Sequence, residues 1–374
     1  MSLKRILLLS AYDAVSHQHW RRGLVQALPE YAWTVLTLPP WNFSWRIRGN
    51  SLSWAYSQRE ILEQKFDLII ATSMTDLSAL KGMVPSLANT PSLLYFHENQ
   101  FAYPTSDHAF QSVEPKITSI YAALSATRIA FNSEYNRQTF LSGVESLLNR
   151  ISDHVPSGIK EQLQGKSICL PVALDNDWQG RSADKDPCFT LLWNHRWEYD
   201  KAPERLFSGL MQLREFGIDF RIHIVGQQFR KSPSVFEEMR TQLSNHIGAW
   251  GYVENIEEYR NLVRQSHVVI STALHDFQGL AILEATAAGC TPCVPDRLAY
   301  REFIPESFRY ASFPGNEKAE SQALAASLLK LAERHKTNEL SQPPDLSHLF
   351  WPAMQSRYRQ EIEANIHPCT SSHA

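Results

Sequence analysis

Short apolar runs alternate with longer stretches of helical spacing along almost the whole chain. Runs at 5–11 (RILLLSA), 33–39 (WTVLTLP), 66–73 (FDLIIATS), 92–98 (SLLYFHE) and 127–133 (TRIAFNS) predict strands buried on both faces. Between them, segments such as 18–28, 54–65 and 114–126 have the helical period. Such alternation predicts an α/β fold, a parallel sheet with crossover helices. After SICLPVALD (167–175) the chain turns polar at NDWQGRSADKDP (176–187), which reads as a linker. The pattern then restarts at 188–195, 220–227, 248–253, 266–273 and 290–295. The expectation is two Rossmann-like, doubly wound domains, 1–175 and 188–345, facing each other across a cleft. Residues 346–374 are expected to form a helix returning to the first domain, plus a tail. Ligands of such folds sit beyond the carboxyl ends of the strands.

Composition narrows the function classes. The 374 residues are 43% hydrophobic, enough for two cores, and no stretch approaches the roughly 20 apolar residues of a membrane span. The apolar core of the N-terminal MSLKRILLLSAYD is too short for a secretory signal. A net charge of −3 argues against a generally basic nucleic-acid binder but leaves room for a local patch. Five irregularly spaced cysteines fit a reducing compartment, and the chain reads as cytoplasmic. Cys290 and Cys293 form a C-x-x-C, but no second pair exists to complete a metal site, and none is expected.

Chemistry-bearing residues gather where the strands end. The apolar run 188–193 leads into His195, Arg196 and Trp197, with Lys201 five residues after the arginine. Two fixed cations at a strand's end suit a phosphate. In SHVVISTALHDFQGLAILEA a strand gives way to a loop with His275 and Asp276, and Gly279 opens a helix carrying Glu284. Backbone amides and the dipole at such a helix start favour an anion. Glu284, one turn on, is placed for a ribose diol, and Asp276 for another hydroxylated group. The bland reading of Arg196, Lys201 and Glu284 is a solvated loop and a surface helix residue; their joint arrangement argues against it.

The Asp276-to-Glu284 spacing resembles the E-x7-E signature of retaining two-domain glycosyltransferases. HRWEYDKAPE, YFHENQFAYP, FNSEYN, WGYV and STALHDFQGLAILEA together resemble the tRNA-queuosine alpha-mannosyltransferases. The resemblance implies a GT-B fold, GDP-mannose as donor, and transfer with retained configuration to queuosine at the wobble position of tRNA-Asp, without a cofactor or catalytic metal. Carried onto this chain, Arg196 and Lys201 would neutralise the leaving GDP, Glu284 would hold its ribose, and Asp276 the mannose. Phe277, Gly279, Leu280, Tyr252 and Val253 would complete the donor site. His97 would face the anomeric carbon from across the cleft, with Glu98 and Asn99 beside it on the acceptor side. Two departures stand out: the first acid is an aspartate, and the Gly-Gly turn after the first strand is replaced by SAYDAVSHQHW, with Ser16 and His17 in its place.

A tRNA acceptor calls for cations interleaved with aromatics. The stretch 39–59, read as a surface loop, has Trp41, Phe43, Trp45, Trp54 and Tyr56 among Arg46, Arg48 and Arg59. Residues 1–59 hold seven Lys or Arg against two acids, a local balance of +5. Trp45, Arg46 and Arg48 are therefore the expected tRNA contacts. Rival readings are a loop packed on its own domain, a membrane-surface patch of a transferase with a lipid-linked or polysaccharide acceptor, and a catalytically silent nucleotide- or RNA-binding protein. His108, His154, His223 and His246 read as packed or solvated.

Overall fold

The computed structural model describes residues 3–103, 112–180, 185–229 and 232–367. His108, residues 181–184 of the expected linker and the tail 368–374 lie outside them. The chain divides into two units, Met1–Ala173 with Trp351–Ala374, and Leu174–Phe350.

The first unit holds strands β1 (Arg5–Ser10), β2 (Ala32–Thr37), β3 (Leu68–Thr72), β4 (Ser92–Phe96), β5 (Arg128–Phe131) and β6 (Ser167–Cys169). They form one parallel sheet in the order β2-β1-β3-β4-β5-β6. Its helices are α1 (Val15–Ala27), α2 (Phe43–Ser57), α3 (Arg59–Leu62), α4 (Leu77–Met83), α5 (Glu114–Ser125), α6 (Glu134–Leu148) and α7 (Ile159–Gly165). Alternate strand residues serve two cores, as a pleated strand requires. Leu7, Leu9, Ile69, Leu94 and Phe96 join the core shared with Ile47, Trp54 and Leu77 of the helices.

The second unit holds β7 (Thr190–Trp193), β8 (Arg221–Val225), β9 (Ile247–Gly251), β10 (Val268–Ile270), β11 (Thr291–Pro295) and β12 (Arg309–Tyr310). Their order, β12-β11-β10-β7-β8-β9, reverses direction between β7 and β10. The helices are α8 (Pro203–Glu215), α9 (Val235–Gln242), α10 (Ile256–Gln265), α11 (Leu280–Ala287), α12 (Tyr300–Phe303) and α13 (Glu317–Lys336). Leu191, Trp193, Val268 and Ile270 face one core, and Leu192, Val225 and Val269 the other. Helix starts are marked by the expected acceptors: Asn255 caps α10, and Asn316 accepts the Ala319 amide of α13 at 3.0 Å.

A last helix, α14 (Trp351–Ile366), belongs to the first unit. Trp20 donates its indole N–H to the Tyr358 hydroxyl (2.9 Å), which donates to the Pro171 carbonyl (2.9 Å), and Arg359 pairs with Glu30 at 2.7 Å. Within the second unit, Leu174 bridges Phe350 in parallel, and its amide donates to the Leu349 carbonyl at 2.9 Å.

Three sequence expectations need correction. Residues 176–178 form a 3-10 turn whose Trp178 is buried in the second core, so the linker reading fails at its start. Residues 43–57 are a helix, not a loop, because Ile47 and Trp54 seat one face on the core. β2 is only half-buried because it lies at the sheet edge. Cys290 and Cys293 are free thiols in different cores, so they do not act as a pair; burial pushes them up to about 11 and about 12.

Two histidines replace backbone acceptors in the second sheet. At the irregularity between β8 and β9, the Ala249 amide donates to Nδ1 of His223 (2.8 Å), and the Thr190 amide donates to Nδ1 of His267 (3.1 Å). Protonating either Nδ1 abolishes its bond. Burial foremost pushes both imidazoles down to about 4. The unfolded chain therefore takes up these protons first, and stability falls as pH drops from about 6.5 to about 4. Each histidine accounts for up to about 3 kcal/mol of that loss. Urea midpoints measured across this range should fall steeply for the native chain. They should flatten for His223→Asn or His267→Asn, which keep an acceptor but do not titrate; an unchanged slope in both variants refutes the assignment.

Candidate active site

The carboxyl ends of β7 and β10 flank the strand-order reversal of the second sheet, where open α/β sheets bind ligands. β7 ends at Trp193, and the chain passes through Asn194, His195 and Arg196 before a 3-10 turn at Tyr199–Lys201. Gly226 lets the chain after β8 pass close to this turn, since a Cβ there would stand 1.9 Å from the His195 carbonyl oxygen. Arg196 is half-exposed and pairs with Glu198 at 3.0 Å. Lys201 is only 7% exposed. Its ammonium donates to the His275 carbonyl at 2.6 Å and meets Asp200 at 3.2 Å, while Asp276 stands at 3.8 Å. The expected cation pair is thus one outward arginine and one inward lysine on the same loop.

Asp276 sits in the loop after β10 with both oxygens engaged. Oδ1 accepts the Gly279 amide at 3.0 Å and Oδ2 the Tyr300 hydroxyl at 3.2 Å. Gly279 has a left-handed φ of 76°, and a Cβ there would lie 2.6 Å from the Tyr300 ring, so glycine is required on two counts. Burial works to raise the Asp276 carboxyl. Lys201, His195 and His275, with the Tyr300 bond, outweigh it and hold the group below its ordinary value. Phe277 packs edge-on against His275 at 4.5 Å. His195 is buried, and burial, then the Lys201 charge, pushes its imidazole down to about 4, so it is neutral near pH 7.

Gly279 caps α11, whose first turn begins at Leu280, and Glu284 follows one turn later. Glu284 is pushed up to about 8, by burial first and by Asp175 second, with Trp178 and Arg260 opposing. The Trp178 indole hydrogen-bonds to this carboxyl, and the Arg260 guanidinium lies 5.7 Å from the Trp178 ring centre. Beside them, Asn194 donates to the Tyr259 hydroxyl (3.0 Å) and to the Ala281 carbonyl (3.1 Å). Tyr252, after β9, is exposed, while Val253 packs partly on the core. Trp178, Asn194, Tyr259 and Tyr300 were missing from the sequence reading. Their only sequence signal is a polar atom on a large or buried-type side chain.

In the first unit, β4 delivers His97 into an aromatic nest. Its ring stacks on His17 at 4.3 Å and meets Trp20 and Tyr95 at 4.8 and 4.7 Å. Burial foremost, then the charges of His17 and His19, hold its imidazole well below the ordinary value. Nε2 of His97 has no hydrogen-bond partner among the described residues. His17 is fixed by its Nδ1 on the Tyr12 carbonyl (2.7 Å), while Ser16 is exposed at the start of α1. Glu98 accepts the Tyr103 hydroxyl at 2.6 Å. Asn99 differs from the expectation. Its amide donates to the Asn136 side chain (2.8 Å) and to Thr139 (2.9 Å), and its oxygen accepts the Phe101 and Ala102 amides. Buried and committed on both sides, Asn99 holds the turn after β4 instead of facing an acceptor.

The expected acceptor residues lie on α2. Trp45, Leu52 and Tyr56 form an outward apolar stripe, with Trp45 55% exposed. Arg48 is exposed and lies 3.4 Å from Asp76. Arg46 turns inward, and its Nε is buried with no hydrogen-bond partner among the described residues. The inner face is pinned by Asn50, which donates to the Met74 carbonyl (3.1 Å), and by Ser51, which donates to the Asp76 carbonyl (2.6 Å).

Comparison with known proteins places this geometry. Residues 5–174 match the tRNA-queuosine alpha-mannosyltransferase N-terminal family, and residues 189–334 match the family of glycosyl transferases group 1. The Drosophila melanogaster tRNA-queuosine alpha-mannosyltransferase is 32% identical over 315 residues, 82% of this chain and 83% of that protein. Among solved structures, sucrose-phosphate synthase from Thermosynechococcus elongatus aligns with a TM-score of 0.69 at 14% identity, covering 96% of this chain and all of that one. The Anabaena protein HepE, solved with UDP and glucose, aligns with a TM-score of 0.66 at 14% identity, covering 97% and 100%. These last two likenesses speak for the fold alone, the α/β arrangement of the GT-B glycosyltransferases. Its two parallel six-stranded sheets and its kinship over four-fifths of its length show that the chain belongs to the tRNA-queuosine alpha-mannosyltransferase family of glycosyltransferases.

Proposed function

We propose that the chain moves mannose from GDP-mannose, with retention of configuration, to queuosine at the wobble position of tRNA-Asp, in the cytoplasm. The observation that carries the reading is the 32% identity, across 82% of the chain, to a protein named for that reaction. The donor end of the second unit supports it. Arg196, Lys201 and the amides opening α11 offer positive charge where a diphosphate would leave, and Glu284 stands where a ribose diol would lie. Charge grows on the diphosphate as the glycosidic bond breaks, so donors fixed before the reaction stabilise that state most. In this reading no metal takes part. In the first unit, α2 is the tRNA contact.

The direct test incubates the enzyme with tRNA and a panel of sugar nucleotides, followed by nucleoside mass spectrometry. Transfer from GDP-mannose that requires queuosine in the tRNA is the expected result. Transfer to a lipid or glycan, or nucleotide binding without transfer, overturns the acceptor or the enzymatic reading respectively. Arg196→Ala and Lys201→Ala should each cut kcat by roughly 30- to 1,000-fold, or about 2–4 kcal/mol, with a smaller effect on donor affinity. A chelator should leave the rate unchanged.

Glu284 gives a second prediction. Near pH 7 its carboxyl holds a proton. A diol donating two hydrogen bonds favours the ionised form, so nucleotide binding should release a proton and tighten as pH rises towards about 8. Calorimetry in buffers of different ionisation enthalpy should show that release for the native enzyme and lose it in Glu284→Gln. Equal proton counts would exclude a ribose role.

For the acceptor, Trp45→Ala should weaken tRNA binding by roughly 1–3 kcal/mol with little salt dependence. Arg48→Ala should flatten the log–log salt slope by close to one unit. Neither should change GDP affinity; loss of liposome binding in place of tRNA binding would favour a lipid acceptor.

A further inference from the structure

The donor site contains a hydroxyl chain that the sugar-transfer reading leaves unused. The Ala273 amide donates to the Ser271 Oγ at 3.2 Å, and Ser271 lies 2.8 Å from the Tyr300 hydroxyl. Tyr300 in turn donates to Asp276 Oδ2 at 3.2 Å. Because the single tyrosine proton goes to the aspartate, the Ser271 hydroxyl donates to the tyrosine oxygen. Tyr300 and Ser271 are wholly buried.

The same Oδ2 lies 3.8 Å from the Lys201 ammonium, beyond hydrogen-bond reach. An ammonium has three donors. Two are spent, on the His275 carbonyl at 2.6 Å and on Asp200 at 3.2 Å. Asp276 Oδ2, at 3.8 Å, is left for the third. An aspartate beside a buried lysine would ordinarily close to about 2.8 Å and neutralise it. Here Oδ1 is tied to the Gly279 amide and Oδ2 to Tyr300, and the carboxylate is held back.

We infer that Tyr300 is a positioning residue that keeps Asp276 off Lys201, reserving the third ammonium donor for the diphosphate of the donor nucleotide. The inference rests on the donor-site reading above and goes beyond it by assigning why the cation remains available. It also gives the aspartate a use of its own. Asp276 holds Lys201 in direction and charge from a distance, without consuming its last donor.

The test is GDP binding by calorimetry, with guanosine as the diphosphate-free comparison and the thermal midpoint recorded for every variant. Tyr300→Phe keeps the ring against Gly279 but frees Asp276 to close on Lys201. GDP affinity should fall roughly 10- to 100-fold while guanosine affinity stays within a few-fold. Asp276→Asn in the Tyr300→Phe background removes the quenching charge and should restore GDP affinity to near the native value. A tyrosine that only supports the fold predicts no such rescue. Asp276→Asn alone should leave GDP binding intact or tighter, and this variant decides the matter should Tyr300→Phe not fold; a tenfold loss would make the carboxylate part of the diphosphate site and overturn the spacer role. GDP bound by the native enzyme but unaffected by Tyr300→Phe overturns the inference alone. Failure of the native enzyme to bind any nucleoside diphosphate overturns the donor-site reading, and the inference with it.

Discussion

Glu320 is wholly buried in α13 and would be costly there without compensation. Arg297 meets both its oxygens, at 2.5 and 2.7 Å, Arg205 adds a contact at 2.6 Å, and the Phe313 amide a fourth at 2.7 Å. Burial works to raise the carboxyl, but the guanidiniums hold it below its ordinary value. The same Arg297 donates to the carbonyls of Ala273 (2.8 Å) and Thr272 (3.1 Å). The loop carrying His275 and Asp276 is therefore anchored to a saturated ionic centre. With the loop fixed, Tyr300 meets Asp276, Lys201 meets the His275 carbonyl, and Gly279 opens α11 at one defined angle. Removing any member would leave charge buried without a partner, so the network acts as a unit.

On this frame the second unit drives its two acids in opposite directions. Asp276 is held below its ordinary value amid cations and donors, and Glu284 is raised to about 8 beside Asp175. Only seven residues lie between them, yet one is ionised and the other protonated near neutrality. Divergence of this kind follows from the neighbours, not from the residue type. Of these two carboxyls, one is charged near neutrality and the other is not.

The strands were legible because buried parallel strands are uninterrupted apolar runs, and so was the clustering of Arg196, Lys201, Asp276 and Glu284 at their ends. What escaped was brought in by tertiary packing. Trp178 lies in a stretch whose Gly, Asp and Ser content reads as linker, and only the fold shows its indole against Glu284. Tyr300 is in a four-residue helix with no periodicity to detect. The 39–59 stretch read as a loop because its aromatics follow no single face, four of them exposed and one, Trp54, in the core. Asn99 was placed on the acceptor side by the family resemblance; its role as a turn lock is invisible without Asn136 beside it.

The return of α14 sets an order of events during synthesis. The second unit is one continuous segment, Leu174–Phe350, and its two ends lie side by side through the Leu174–Phe350 bridge. It holds every strand of its own sheet, so that sheet needs nothing from the rest of the chain. The first unit is made mostly of residues that precede the second but is completed by α14, which follows it. Tyr358 closes on Trp20 across 338 residues and on Pro171 across 187. The apolar face that α14 covers, with the edge of Trp20 within it, stays open until α14 has been made. The unit begun first is thus completed last, and a chain cut short before Trp351 would carry every strand of its second unit while its first lacked the helix that covers Trp20.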